Sequence, residues 1–423
     1  MSAGICIMNR NAIAMAADSA VTIGNRVAIH NSANKLFSLS KIAPVGVIIY
    51  ANASFMGVPF EIIIKEYKKY IGDKTFKTLK EYLFDFINYL EHNAQLFHFD
   101  CNEEAYIMNV FENLMHGLNN YFKYKIDEIS KAKGSKLSER ELLETAKEAI
   151  KQTESFINNQ ELITNASFLE YICNKYKSKF IDYLRADKKF DWIADEQKRD
   201  ISEKACKIFD SKFDRNGYVG LAIAGYGESE IYPSLIHIHL SGYINKSIRY
   251  YIFEEAYISE DRNTSVIPLA QTDVMQTFLF GINDQLLGDL AQEIPKQITD
   301  SLQKMDDSLF ALNKKNDVLN QLVKDSNNIL EHIIKTSTEY FMTPIYESVA
   351  SLPIEELGLL AESMINITSI RRKVAIDSNI GTVGGPIDVS IISKGDGFIW
   401  LKRKHYFDKN FNPQFFYSHY AKN

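Results

Sequence analysis

Met1 is followed by Ser2, and serine is small enough for the ordinary aminopeptidase to remove the methionine ahead of it. The exposed residue would carry a hydroxyl and a primary amine together. A serine hydroxyl is a weak nucleophile until a base takes its proton. An α-amine, with an unperturbed pKa of about 7.7–8.0, titrates close to the operating pH, where a general base is most effective. One residue can thereby supply nucleophile and base for acyl transfer. Three other patterns point away from chemistry. His237 and His239 alternate along an expected strand and share a face, a spacing that can bind metal. No acidic or cysteine partner stands near them in sequence, so a structural or surface role is expected and no metal site is implied. Gly217, Gly220, Gly225 and Gly227 are not followed by a helix opening with Lys-Ser/Thr, so they read as turn residues rather than a phosphate loop. The stretch Lys65 to Tyr70 (KEYKKY) has acidic residues within a turn or two and reads as a solvated helix face.

The elements around Ser2 are strands. Gly4 to Met8 and Ala12 to Ala17 are short and β-rich, with Asn9-Arg10-Asn11 as a tight turn between them. Lys35 to Ser40 and Val45 to Tyr50 form a second expected hairpin, the connection ending in Pro44. From Phe60 to about Asp214 the spacing becomes helical, with a break at Lys133-Gly134-Ser135 and a restart at Ser138, where Glu141 completes a capping box. Strand character returns from Gly217 to about Ile258, a helical stretch runs from Gln271 to Asn366, and Gly395-Asp396-Gly397 marks a last hairpin between Pro386–Ser393 and Phe398–Lys402. Segregated runs of strands and helices favour α+β layering over a parallel βαβ fold.

The bulk composition sets limits. The chain has 423 residues, 46% hydrophobic and 24% charged, enough for a large core. Its net charge of -6 comes from mixed acidic and basic residues, so a nucleic-acid partner is not expected. The cysteines Cys6, Cys101, Cys173 and Cys206 are scattered without CxxC spacing and read as free thiols of a reducing compartment. No run approaches the roughly 18 apolar residues of a membrane span, and the N-terminus lacks a signal-peptide pattern. No membrane association is expected, and the cytoplasm is the expected location.

The segment Ala16-Ala17-Asp18-Ser19-Ala20-Val21-Thr22, with Asn34-Lys35-Leu36-Phe37 after it, resembles the start of proteasome β-subunits and of the bacterial HslV peptidase. Counting back from Asp18 on that family's spacing puts its first mature residue at Ser2. The runs Ala224-Gly225-Tyr226, Pro233-Ser234-Leu235 and Gly384-Gly385-Pro386-Ile387-Asp388-Val389 resemble the same family's later hairpin and glycine pair. The resemblance implies a four-layer αββα N-terminal nucleophile (Ntn) hydrolase sandwich with a large helical insertion. Its core would be residues 2–72 and 215–403, with 73–214 inserted, 285–350 an extended helical segment and 404–423 a C-terminal tail.

By the same resemblance, Lys35 would stand beside the Ser2 hydroxyl and lower the cost of forming alkoxide, and Asp18 would pair with Lys35. Taken singly, Asp18 reads as a strand end and Lys35 as a solvated strand residue. The oxyanion would be met by backbone N–H groups at Ala51 and Asn52, where the family has small residues or glycine. Asp377, Ser378 and Thr382 lie near the loop that supports the nucleophile. Thr272 and Asp273 lie near a second supporting loop, or cap the helix after it. The implied activity is hydrolysis of an amide, peptide above all, through Ser2, without a cofactor. A silent scaffold of the same fold and a small-molecule Ntn amidase are the alternatives. A homo-oligomer, a ring among the options, and an unfoldase partner follow by analogy.

Overall fold

The computed structural model describes residues 3–23, 28–30, 33–163, 167–213, 217–305, 314–374, 383–405 and 407–414. The first strands are β1 (Ala3–Asn9) and β2 (Ala12–Ala17), followed by the short β3 (Val21–Ile23) and β4 (Ala28–His30). Next come β5 (Leu36–Ser38), β6 (Val45–Ala51), β7 (Ser54–Phe55) and β8 (Val58–Pro59). The helices α1 (Phe60–Ile71), α2 (Leu79–His92), α3 (Phe99–Lys133), α4 (Glu139–Asn158), α5 (Leu169–Ala186) and α6 (Asp195–Ala205) come before β9 (Val219–Gly225), β10 (Ser234–Ile244), β11 (Ser247–Tyr257) and β12 (Thr264–Ala270). The chain closes with α7 (Asp273–Phe280), α8 (Asp284–Gln303), α9 (Lys315–Ser337), α10 (Thr343–Ser351), α11 (Ile354–Val374), β13 (Asp388–Ser393) and β14 (Gly397–Lys402).

The fold is mixed α+β with antiparallel sheets. One five-stranded sheet has the order β12-β1-β2-β13-β14 and the other β11-β10-β9-β6-β5. The three expected hairpins form, β1 with β2, β5 with β6 and β13 with β14. β1 and β2 are buried along their whole length because each of their faces has a partner. One face, with Cys6, Met8, Ile13 and Met15, shares a cluster with Ile48, Tyr50, Ala222 and Leu235 of the other sheet. The opposite face, with Ile5, Ile7, Ala14 and Ala16, packs on Leu357, Ala361 and Ile365 of α11. The outer face of the second sheet takes α1 and α2, whose apolar residues Ile63, Ile64, Tyr67, Leu83, Phe86 and Leu90 recur at helical spacing. Most of α3, with α4, α5 and α6, closes over a separate core, which Ile244 of β10 joins. The capping box at Ser138 and Glu141 opens α4 as its sequence pattern predicts.

β12 is a strand the sequence pattern did not announce, because Pro268 sits within it. It forms the edge of its sheet, where the missing N–H costs no ladder bond, and pairs with β1 so that Ile5 faces Pro268 and Ala3 faces Ala270. Among the described residues, no helix is long and apolar enough to cross a membrane.

Candidate functional site

The site is built around the start of β1. Asp18 follows β2, is fully buried, and accepts from four donors. Its Oδ1 takes Ala3 N–H at 3.0 Å and the Lys35 ammonium at 2.6 Å. Its Oδ2 takes Ala20 N–H at 3.2 Å and Gly384 N–H at 3.1 Å. Asp18 also donates its own N–H to Ala3 O at 3.1 Å. Lys35, just before β5 and 4% exposed, donates a second bond to Ala20 O at 2.5 Å. Burial pushes the Lys35 pKa below the ordinary lysine value. The Asp18 carboxylate works against that shift, and the neighbouring Lys404 charge adds to it. The solvated-residue reading of Lys35 is therefore excluded.

The Gly384–Pro386 turn closes on this corner. Ser19 N–H donates to Gly384 O at 3.1 Å, and Ser19 Oγ donates to Pro386 O at 2.5 Å. One strand over, Asp388 lies across from Ala17 and accepts from Lys404 through both backbone N–H, at 2.8 Å, and ammonium. On the β12 side, Arg372 of α11 is buried and donates to Gln271 Oε1 at 2.7 Å and Asp273 Oδ1 at 2.5 Å. Asp273 thus takes the ion pair, while the Thr272 side chain makes no capping bond at the start of α7. Arg372 and Lys404 gave no signal in the sequence. Arg372 lies on a helix stripe of otherwise ordinary spacing, and Lys404 follows the last strand without a recognisable pattern.

The remaining expected site residues divide in two. Ser2, Asp377, Ser378 and Thr382 lie outside the described residues. Ala51 ends β6 opposite Val219 with a left-handed φ of 64°, and Asn52 follows it. The Asn52 N–H, one of the two expected to meet the oxyanion, donates to Tyr218 O at 3.1 Å. The pair is nonetheless close to the site along the chain. Ile49 N–H donates to Lys35 O at 2.8 Å, and Ala51 comes two residues later.

No family model matches this chain, and no curated protein matches it. Among solved structures, it is similar to a Gly-1 mutant of Anbu from Hyphomicrobium sp. strain MC1, with 10% identity, a TM-score of 0.29, and coverage of 100% of this chain and 98% of that one. It is also similar to Anbu (ancestral beta-subunit) from Yersinia bercovieri, with 10% identity, a TM-score of 0.29, and coverage of 99% and 97%. A third is the Anbu complex from Pseudomonas aeruginosa, described as a helical assembly, at 8% identity, a TM-score of 0.29, and 99% and 94% coverage. The resemblance to proteasome β-subunits and HslV read from the sequence is corrected on this finding, since the structures matched are Anbu proteins, a distinct family. At this TM-score the likeness carries no inference about chemistry.

His237 and His239 are buried. Tyr50 Oη is hydrogen-bonded to Nε2 of His237 and, at 2.9 Å, to Nε2 of His239, whose Nδ1 meets Tyr251 Oη at 2.8 Å. His237 Nδ1 is buried without a hydrogen-bond partner among the described residues. Burial, with the nearby His239 adding to it, pushes the His237 pKa down to about 3. Among the described residues no group of three or more His, Cys, Asp or Glu is placed to hold a metal ion.

Proposed function

We propose that this chain is an Ntn hydrolase that cleaves an amide bond, a peptide bond first among them, through Ser2 after loss of Met1, on a four-layer αββα sandwich. The buried Asp18–Lys35 pair carries the reading. Asp18 is bonded to Ala3 N–H, and Ser2 is joined covalently to Ala3, one Cα step of about 3.8 Å away. In the reaction, Ser2 Oγ attacks the carbonyl carbon while its proton passes to the α-amine of the same residue. The tetrahedral intermediate collapses with that proton going to the leaving amine, and water then cleaves the acyl ester on Oγ. Lys35 supplies positive charge beside the developing alkoxide, and Asp18 fixes the ammonium in place. The helices of the separate α3–α6 core are an insertion in this reading. A homo-oligomer belongs to it too, supported by the exposed apolar residues Leu286, Val318, Leu322, Ile329 and Ile334 on α8 and α9.

The test is intact-mass measurement before and after a serine-reactive electrophile. The expected result is a chain without Met1 that gains one adduct at residue 2, and loses that adduct in Ser2→Ala and in Lys35→Ala. A chain that keeps Met1 and stays unlabelled overturns the hydrolase. Labelling that survives Lys35→Ala removes the lysine from the mechanism. The competing reading, a catalytically silent scaffold, is favoured by the Asn52 amide, whose hydrogen is already bonded to Tyr218 O. Turnover of either a peptide panel or a small-amide panel excludes it, and the panel that responds separates a peptidase from a small-molecule amidase.

A further inference from the structure

A cavity of about 280 Å³ opens beside the loop that follows β6. Its walls come from that loop and the β7–β8 hairpin, from α3, from the start of β9 and from β10, with Asn52, Asn102, Tyr106, Asn109, Tyr218 and Ser241 among them. The cavity is a built feature. Asn102 Nδ2 donates to Met56 O at 3.0 Å and to His98 O at 3.1 Å, fixing the hairpin tip to α3. The Tyr106 ring packs against Gly242, where a Cβ would stand 2.3 Å from it, and Tyr106 Oη accepts from Arg249 at 3.3 Å. The Asn52 amide ties the loop to Tyr218.

Two properties define what fits. None of the lining residues is charged, while carboxamides, hydroxyls and phenols recur around the wall. A charged group would meet no opposite charge among the lining residues, whereas a neutral hydrogen-bonding group would find partners of its own kind. The volume is small beside the roughly 300–1,000 Å³ of pockets for drug-sized ligands, which suits one side chain or a small amide rather than an extended peptide. The position is also informative. Asn52 lies three residues beyond Ile49, whose N–H donates to Lys35 O.

We propose that this cavity selects the substrate of the hydrolase, taking a neutral amide-, hydroxyl- or phenol-bearing side chain next to the scissile amide, with α3 of the separate helical core supplying one wall. The role in selection rests on the proposed hydrolase activity; the binding does not. The experiment measures binding of N-acetylglutaminamide, N-acetyltyrosinamide, N-acetyllysinamide and the α-amide of N-acetylglutamate to the full chain by calorimetry or ligand-observed NMR. The two neutral amides are expected to bind about tenfold or more tightly than the two charged ones. Ala105 and Asn109 line the cavity from exposed positions of α3, so substitution there spares the core. Ala105→Trp should weaken the neutral amides about tenfold by filling the space, and Asn109→Asp should shift preference toward the lysine amide by a similar factor. Equal binding of all four amides, or binding unaffected by Ala105→Trp, overturns the proposal. Electrophile labelling of residue 2 on the same samples separates the two ideas. Selective binding without labelling leaves the cavity standing and removes the hydrolase, and labelling without selective binding does the reverse.

Discussion

A buried carboxylate with four donors around it has given up water entirely, so its stability depends on every one of those donors. Asp18 is in that position, and Asp18→Asn would turn an –NH2 toward groups that also donate while stranding the Lys35 ammonium. The expected cost is about 3–5 kcal/mol, the range for breaking one side of a buried pair. Lys35→Met, which leaves Asp18 its backbone donors, should cost less; urea unfolding of the two variants ranks them, and equal losses would show that the pair is not the dominant contact. His237 makes a pH prediction. Its folded pKa of about 3 lies below the ordinary 6.5, so between those values the unfolded chain binds a proton that the folded one refuses. Stability therefore falls as pH drops through that window, by about 2 kcal/mol at pH 5 from this residue alone. The groups near it are Tyr50, His239 and, across the ladder, Glu254, whose own pKa burial raises. His237→Gln should flatten the unfolding midpoint between pH 7.5 and 5, and an unchanged slope would place the acid sensitivity elsewhere. Asp18 and Lys35 could be picked out by the family resemblance their segments carry, since taken singly each has a bland reading. Arg372 and Lys404 could not, because what gives them a role is a carboxylate about a hundred residues away for the one and a neighbouring strand for the other.

Elements were readable where local chemistry decides them. The β1–β2 hairpin, the β13–β14 turn and the capping box at Ser138 each follow from a few adjacent residues. β12 was not readable, since a proline within a run argues against a strand unless one knows that the strand is an edge. Two substitutions test elements directly. Ser138→Ala removes the half of the cap that its hydroxyl supplies and leaves the Glu141 carboxylate on the residue-138 N–H, and α4 should lose about 1 kcal/mol, read as faster hydrogen exchange in its first turn. Gly220 sits where β9 passes under Tyr50, and a Cβ there would lie 2.2 Å from the phenol ring. Gly220→Ala should cost the upper part of the roughly 1–3 kcal/mol range for overpacking, because Tyr50 cannot move without releasing both histidines; an unchanged melting temperature would show that the ring has room to yield.

At the scale of the molecule, Glu103 and Arg249 are two polar contacts that fasten the separate helical core to the second sheet. Glu103 of α3 accepts from Tyr171 and Tyr176 at 2.6 and 2.7 Å, and from Asn245 N–H at the β10–β11 turn at 2.8 Å. Arg249 of β11 donates to the carbonyls of Phe209 at 2.8 Å, Phe213 at 3.3 Å and Ser211, where the chain leaves the helices. Arg249→Met would strand those carbonyls in the interior at a cost of about 2–4 kcal/mol. Hydrogen exchange should then quicken in residues 206–213 with β1 and β2 unchanged, and a uniform rise along the chain would mean that the two regions unfold together. Antiparallel α+β layering was visible in the order of strand and helix runs. How the helices attach was not, because neither a glutamate nor an arginine announces in sequence that its partners lie on another layer.

The first described strand starts between two neighbours, with its opening amide already held by a carboxylate beneath it. An affinity tag or fusion partner placed ahead of that strand would be joined within two residues of the amide that Asp18 holds, so assays of this corner call for a chain with nothing added there.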